Sequence, residues 1–350
     1  MGEKQSKPFQ LSFNGSLKVD FQGSRVTSDG GLILVRELDE RLGFGKLIEE
    51  HLTDSRQGTN KKFPLADLVR QSVYSRLAGY ENLNDAVRVS AVPTFRLIGS
   101  KKNWDRGGAL TSRRQSFEAE LLASEENLLG LMAVNRELVA RAEEDDESER
   151  VVLDMDSTES PVHGQQEGSA YNGHFESTCY HPLLLFNQHG DCLAAKLRAG
   201  NVSSAEDWDE LLLPEIERQQ TEGKGVTFRA DAAFAKPGIY EALERRGVDY
   251  VIRIPANKNL ELEIEDILFR PPGRPSLKPL VRYKSFRYQA ASWSKPRRVV
   301  AKVGPLAPQS PHPATGSSSV ILDFDRRAHV QRACNGCTGS SPSSPADAFG

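Results

Sequence analysis

The sequence predicts an α/β chain with an all-helical front portion, and three observations lead there. Apolar residues at helix spacing fill residues 28 to 142. From Val151 onward, short β-branched runs alternate with helical ones, and two of those runs stop abruptly on acidic residues. In the front portion, Ser28-Asp-Gly-Gly31 introduces Leu32, Leu34, Val35 and Leu38. Pro64 opens a second helix through Leu65, Leu68, Val69, Val73 and Leu77, since proline is preorganised for a first helical turn. A third helical stretch runs from about Ser116 to Ala142 through Leu121, Leu122, Leu128, Leu129, Met132 and Leu138. The acidic run Glu143-Glu-Asp-Asp-Glu147 then marks a boundary or an exposed helix end.

The second portion begins with the strand Val151-Val-Leu-Asp-Met-Asp156 and the polar turn Gly164-Gln-Gln-Glu-Gly168. Tyr180–Phe186 and Cys192–Leu197, separated by Asn187-Gln-His-Gly-Asp191, read as a hairpin. An amphipathic helix over Ala205–Gln220 leads to the strand Val226-Thr-Phe-Arg-Ala-Asp231. Pro237 starts another helix, Gly247 closes it, and Tyr250–Ile254 is a further strand. Strand, strand, strand, helix, strand, helix, strand is the order of a ribonuclease H-like core. The expected organisation is a helical domain over 1–150, that core over 151–254, a basic, aromatic, β-containing insertion over 255–303, and a disordered tail over 304–350.

Composition narrows the class. With 350 residues, 38% apolar and 27% charged, the chain has the size and balance of a globular protein of about two domains. No stretch reaches the ~18 consecutive apolar residues of a membrane span, and the opening Met1-Gly-Glu-Lys-Gln-Ser-Lys-Pro8 has no apolar signal core, so a cytoplasmic protein is expected. The four cysteines, Cys179, Cys192, Cys334 and Cys337, are too scattered for a disulfide scaffold. A net charge of −3 conceals local basic stretches and leaves a nucleic-acid partner open.

Asp156 and Asp231 are the chief candidates for chemistry. Two carboxylates delivered to a sheet rim must either take up a proton or meet a cation, and Mg²⁺ (or Mn²⁺) is the cation suited to oxygen ligands. Either residue alone is as readily a helix N-cap or a solvated turn. Asp154 shares a strand face with Asp156 and is a neighbour of the site or itself a metal ligand. Farther on, residues 282–302 hold Arg282, Lys284, Arg287, Lys295, Arg297, Arg298 and Lys302 without one acid, interleaved with Tyr283, Phe286, Tyr288 and Trp293. Cations for phosphates and rings for bases suit DNA, while the ordinary alternative is an edge strand kept soluble by its charges.

Across some 280 residues the chain resembles insertion-sequence transposases of the DDE type, closest to the IS-thirteen-eighty group. The resemblance rests on Thr27-Ser-Asp-Gly-Gly31, Gly79-Tyr-Glu-Asn-Leu-Asn-Asp85, Val151–Thr158, Gly164–Gly168, Tyr171-Asn-Gly173, His181-Pro-Leu183, Leu197-Arg-Ala-Gly-Asn201, Phe228–Asp231 and Arg297–Lys302. It implies two metal ions held by Asp, Asp and Glu, with Asp156 and Asp231 as the first two acids. It further implies DNA cleavage and strand transfer at the element's terminal inverted repeats, on DNA bound as a possible homodimer.

The resemblance stops near Val303. Residues 304–350 hold six Pro and eight Ser but no Tyr, Lys or Glu, so the family's late helix with its Tyr, Arg, Glu and Lys has no counterpart there. A tail read in a shifted frame, and a transposase that is catalytically incomplete, are the expectation. Within the tail, Val320-Ile-Leu-Asp323-Phe-Asp325 is strand-like where a helix is needed, and Cys334-Asn-Gly-Cys337 with His329 has only partial zinc spacing. Two other readings stand beside this one. A DNA-binding fragment without catalysis would use Lys61, Lys62, Lys101, Lys102, Arg106, Arg113 and Arg114 as phosphate contacts. A haloacid dehalogenase-like phosphatase would use Asp154 as nucleophile and Asp156 as general acid, yet it needs paired acids where Asp231 is followed by Ala-Ala-Phe-Ala.

Overall fold

The computed structural model describes residues 8–19, 29–57, 63–80, 82–99, 107–144, 148–268, 281–303 and 318–323. These residues divide into two compact units, one of residues 1–151 and 156–224, the other of residues 152–155 and 225–350.

The first unit opens with a two-residue ladder, β1 (Phe9–Gln10) against β2 (Lys18–Val19). Helices follow: α1 (Leu32–Leu42), α2 (Phe44–His51), α3 (Leu65–Leu77), α4 (Ala86–Ala91), α5 (Pro93–Ile98), α6 (Thr111–Ser116) and α7 (Glu125–Ala142). The helical front portion expected from apolar spacing is therefore present. A hinge of one residue joins α1 to α2, because Gly43 takes φ +69 and its N–H closes on the carbonyls of Asp39 and Glu40. α6 runs into a π-helical stretch, Phe117–Leu122, whose Phe117 and Leu121 pack with Ile48, Leu68 and Val69. α7 is started by Ser124, whose side chain accepts from the Asn127 N–H, with Glu125 and Glu126 favourably placed at the positive helix end.

Strand β3 (Arg150–Ser157) is followed by a small sheet that the sequence reading did not contain. β4 (Ser160–Pro161) and β5 (Ala170–Asn172) both pair antiparallel with β6 (Ser177–Tyr180). The expected hairpin forms as β7 (Leu183–Phe186) and β8 (Cys192–Lys196), and the expected amphipathic helix as α8 (Trp208–Thr221).

The second unit is a mixed sheet with helices. It takes the central residues of β3 together with β9 (Gly225–Ala230), α9 (Pro237–Arg245), β10 (Asp249–Ile254), α10 (Lys258–Glu263), α11 (Glu265–Leu268), β11 (Arg282–Tyr288), β12 (Arg297–Val303) and β13 (Ser318–Asp323). Strand order is β11-β12-β13-β10-β9-β3, with β9 and β10 parallel and the outer ladders antiparallel. Strand alternation divides it into two faces. Phe228, Tyr250, Ile252, Ile254, Val299 and Ala301 are buried on one face, together with Ile239, Tyr240 and Leu243 of α9. The tail expected to be disordered has a strand in it: Ser318–Asp323 pairs with both β10 and β12, so the backbone demand of two neighbouring strands outweighs the surrounding Pro/Ser composition. Asp325, His329, Cys334 and Cys337 lie outside the described residues, as do Lys61, Lys62, Lys101, Lys102 and Arg106.

Candidate functional site

The acidic positions sit at strand ends, as alternation requires. On β3, Val151, Leu153 and Met155 are buried while Val152, Asp154 and Asp156 share the opposite face. Asp156, exposed and next to last in the strand, accepts the backbone N–H of Ser157 at 2.8 Å. Asp231 directly follows β9, is exposed, and accepts the Ala233 N–H at 2.9 Å as the N-cap of a short 3₁₀ turn. The capping role that any strand-end Asp offers is thus one that Asp231 fulfils, with one carboxylate oxygen committed to it. Asp156 belongs to the first unit and Asp231 to the second.

Asp154 has a different environment. The Arg229 guanidinium on β9, 75 residues away in sequence, grips it from Nε to Oδ1 and from Nη2 to Oδ2, and both residues lie in the second unit. A bidentate arginine matches carboxylate geometry and uses both oxygens. That engagement corrects the expectation of Asp154 as a possible metal ligand and speaks equally against its use as a phosphatase nucleophile. Among the described residues no group of three or more His, Cys, Asp or Glu is arranged to hold a metal. Asp156 and Asp231 are each suited to a hard cation as exposed carboxylates.

The basic segment is sorted by strand alternation, and several expected DNA contacts are corrected. β11 and β12 pair antiparallel from Arg282↔Val303 to Tyr288↔Arg297. Arg297 is 1% exposed, bonds Glu244 through Nε and Nη2 at 2.8 and 3.1 Å, and stacks over the rings of Tyr240 and Trp293. Trp293 is buried edge-on against Tyr240 and Tyr288. Neither is available to DNA; both assemble the core beneath the sheet. Lys295 also pairs with Glu244 at 3.0 Å, Lys284 with Asp266 at 2.7 Å, and Arg282 donates to the Ile267 carbonyl at 3.0 Å. Burial would raise the Glu244 pKa, but hydrogen bonds from Arg297, Lys295 and Tyr250 outweigh it and hold the carboxyl below its usual range. Arg287, Arg298 and Lys302 remain on the other face, with Arg298 donating to Ser285 Oγ at 3.1 Å. In the helical portion, Arg114 is buried and paired with Glu118 at 3.1 Å, so it too is structural, whereas Arg113 is exposed.

Motifs singled out in the sequence also find physical roles. Asp29 and Tyr80, from two separate motifs, meet at 3.3 Å. Buried Arg198 bonds the carbonyls of His181, Ser203, Ser204 and Glu206 and so clamps the loop before α8. Asn172 donates to the Gly200 carbonyl at 2.6 Å, and a Cβ on Gly200 would collide with the carbonyl oxygens of Ala170 and Cys179, which explains glycine at that point. The sequence reading missed Arg229 as the partner of Asp154 and missed Arg253, which is exposed on β10.

A model of the transposase DDE domain, group 1, matches residues 9–312. The chain belongs to this family. No curated protein matches this transposase-family chain. Among solved structures it is similar to the piggyBac transposase in a synaptic complex with hairpin DNA, at 12% identity and TM-score 0.35, with 84% of this chain and 53% of that one covered. The DDE-family chain thus spans about half the length of that protein. Among its described residues no helix is long and apolar enough to cross a membrane.

Proposed function

We propose that this chain derives its function from DNA transposition as a DDE transposase of the IS-thirteen-eighty type, with a ribonuclease H-like core in which Asp156 and Asp231 hold divalent metal over a scissile phosphodiester. The observation that carries the reading is a pair of exposed strand-end carboxylates, Asp156 and Asp231, in a chain whose family match spans residues 9–312. Bound Mg²⁺ or Mn²⁺ would supply charge neutralisation for the entering and leaving oxygens of an in-line displacement. Asp231 is preset by its cap to the Ala233 N–H, and Asp156 by the Ser157 N–H. Arg229 holds Asp154 on the same strand face as Asp156, which orients that rim rather than adding a ligand to it.

The third acid is absent from residues 304–350 in any helical Tyr/Arg/Glu/Lys setting. These 350 residues by themselves are therefore expected to bind the terminal inverted repeats of their element, as monomer or homodimer, without turnover. A strand-transfer assay on element-end DNA with Mg²⁺ or Mn²⁺ tests this: retention of ends without cleavage is the expected result. Metal-dependent cleavage by the wild-type chain that is lost in Asp156→Ala and in Asp231→Ala would overturn the expected lack of turnover while supporting both carboxylates as metal ligands. Failure to retain DNA of any kind would refute both forms of the reading.

A further inference from the structure

The sequence treats residues 282–302 as one basic block, yet the structure gives its members two separate uses. On the inner-face positions Arg297, Lys284 and Arg282 are taken up by Glu244, Asp266 and the Ile267 carbonyl, and Lys295, exposed in the connecting turn, also pairs with Glu244. The outward row contains Tyr283, Ser285 and Arg287 on β11, paired in register with Lys302, Val300 and Arg298 on β12. The same face continues through β13 to β10, where Ile321 stands opposite both Val300 and Arg253. Arg253 is exposed, and Tyr283 is 57% exposed beside Lys302 in register. Arg287 is exposed as well, and Lys302 is half-exposed.

Arg287 and Arg298 are directly opposed across the ladder, an arrangement that repels unless an anion lies over it. The β11–β12 ladder has no acid at all. Elsewhere on this face Asp154 is paired with Arg229, while Asp249 stands on β10 at the position opposite Thr227. Cations separated by one or two strand spacings, about 5–10 Å, together with an exposed ring at the end of the row, suit a polyanion that also presents flat bases.

We propose that this outer face of β10, β12 and β11 holds a single DNA strand, with Arg253, Arg298, Arg287 and Lys302 on its phosphates and Tyr283 stacked on an unpaired base. The proposal rests on the DNA reading above and assigns single-strand contacts to residues other than Asp156 and Asp231. The test is fluorescence anisotropy of the full chain with a labelled mixed-sequence oligonucleotide, single-stranded and duplex, over a series of salt concentrations. In the triple variant Arg253→Gln/Arg298→Gln/Lys302→Gln, the slope of log affinity against log salt for the single strand should fall by about 2, from about 0.7 per lost phosphate contact. Lys284→Gln removes a charge of the same sign from the opposite face and should leave the slope unchanged. Tyr283→Ala should weaken the single strand by about fivefold or more and the duplex hardly at all. An unchanged thermal transition in the triple variant certifies its fold. If the wild-type chain binds the oligonucleotide and the triple variant keeps its slope, this face is refuted while the DNA reading stands. If the wild-type chain binds neither oligonucleotide, both fall.

Discussion

Arg297 and Arg298 are neighbours in sequence, identical in chemistry, and opposite in fate. Arg297 is 1% exposed, locked to Glu244 and set against the rings of Tyr240 and Trp293, whereas Arg298 lies half-exposed on the outer face, bonded to Ser285. What separates them is the two-residue period of a strand, which sends every second cation of a basic segment into the core. A count of charges along the chain therefore overstates the surface available to a polyanion. Depth decides whether such a cation serves stability or recognition.

The widest separation between the two faces should appear in stability. Arg297→Ala removes a fully buried side chain and leaves the partly buried Glu244 with only Lys295 and Tyr250 as partners, and is expected to cost roughly 2–3 kcal/mol, while Arg298→Ala should stay within about 0.5 kcal/mol. Urea denaturation of both variants measures the gap, and equal losses would erase the distinction drawn here. Acid provides a second probe of the inner face. The folded Glu244 pKa lies below its ordinary value, so its contribution is fully present above the unfolded carboxyl pKa and disappears as pH falls through the folded one. The stability difference between wild type and Glu244→Gln should thus be large near pH 6 and shrink as the solution is acidified; a difference that grows toward acid would contradict the sign. A smaller effect belongs to the pair on β3 and β9. Arg229 and Asp154 are 41% and 27% exposed at the side chain, so solvent screening limits their coupling to about 1 kcal/mol or less. A double-mutant cycle with Arg229→Ala and Asp154→Ala reads that coupling directly, and a value of zero would remove the positioning role given to Arg229.

Much of the fold was legible because it is periodic and local. The helices through Leu32–Leu38, Leu65–Leu77 and Glu125–Ala142, the Leu183–Lys196 hairpin, and the strands ending near Asp156, Asp231 and Ile254 all follow from spacing and turn residues. The long-range pairings were not legible. Nothing in the run Phe228-Arg-Ala-Asp231 announces that Arg229 will close on Asp154, and nothing in 282–302 says which side α9 will cover. Val320–Asp323 reads as strand-like inside a tail whose Pro and Ser content predicts disorder, and it finds hydrogen-bonding strands on both sides. Arg114 shows the same limit within a helix: its neighbour Glu118, one turn on, marks an ion pair, but only packing buries it.

The central claim, that Asp156 and Asp231 jointly hold divalent metal, is tested most directly by Mn²⁺ binding to the full chain followed by electron paramagnetic resonance. The account predicts that Asp156→Ala and Asp231→Ala each lose the bound Mn²⁺ seen in the wild type, while Asp154→Asn retains it. Binding that survives either alanine substitution, or that vanishes in Asp154→Asn alone, would contradict it.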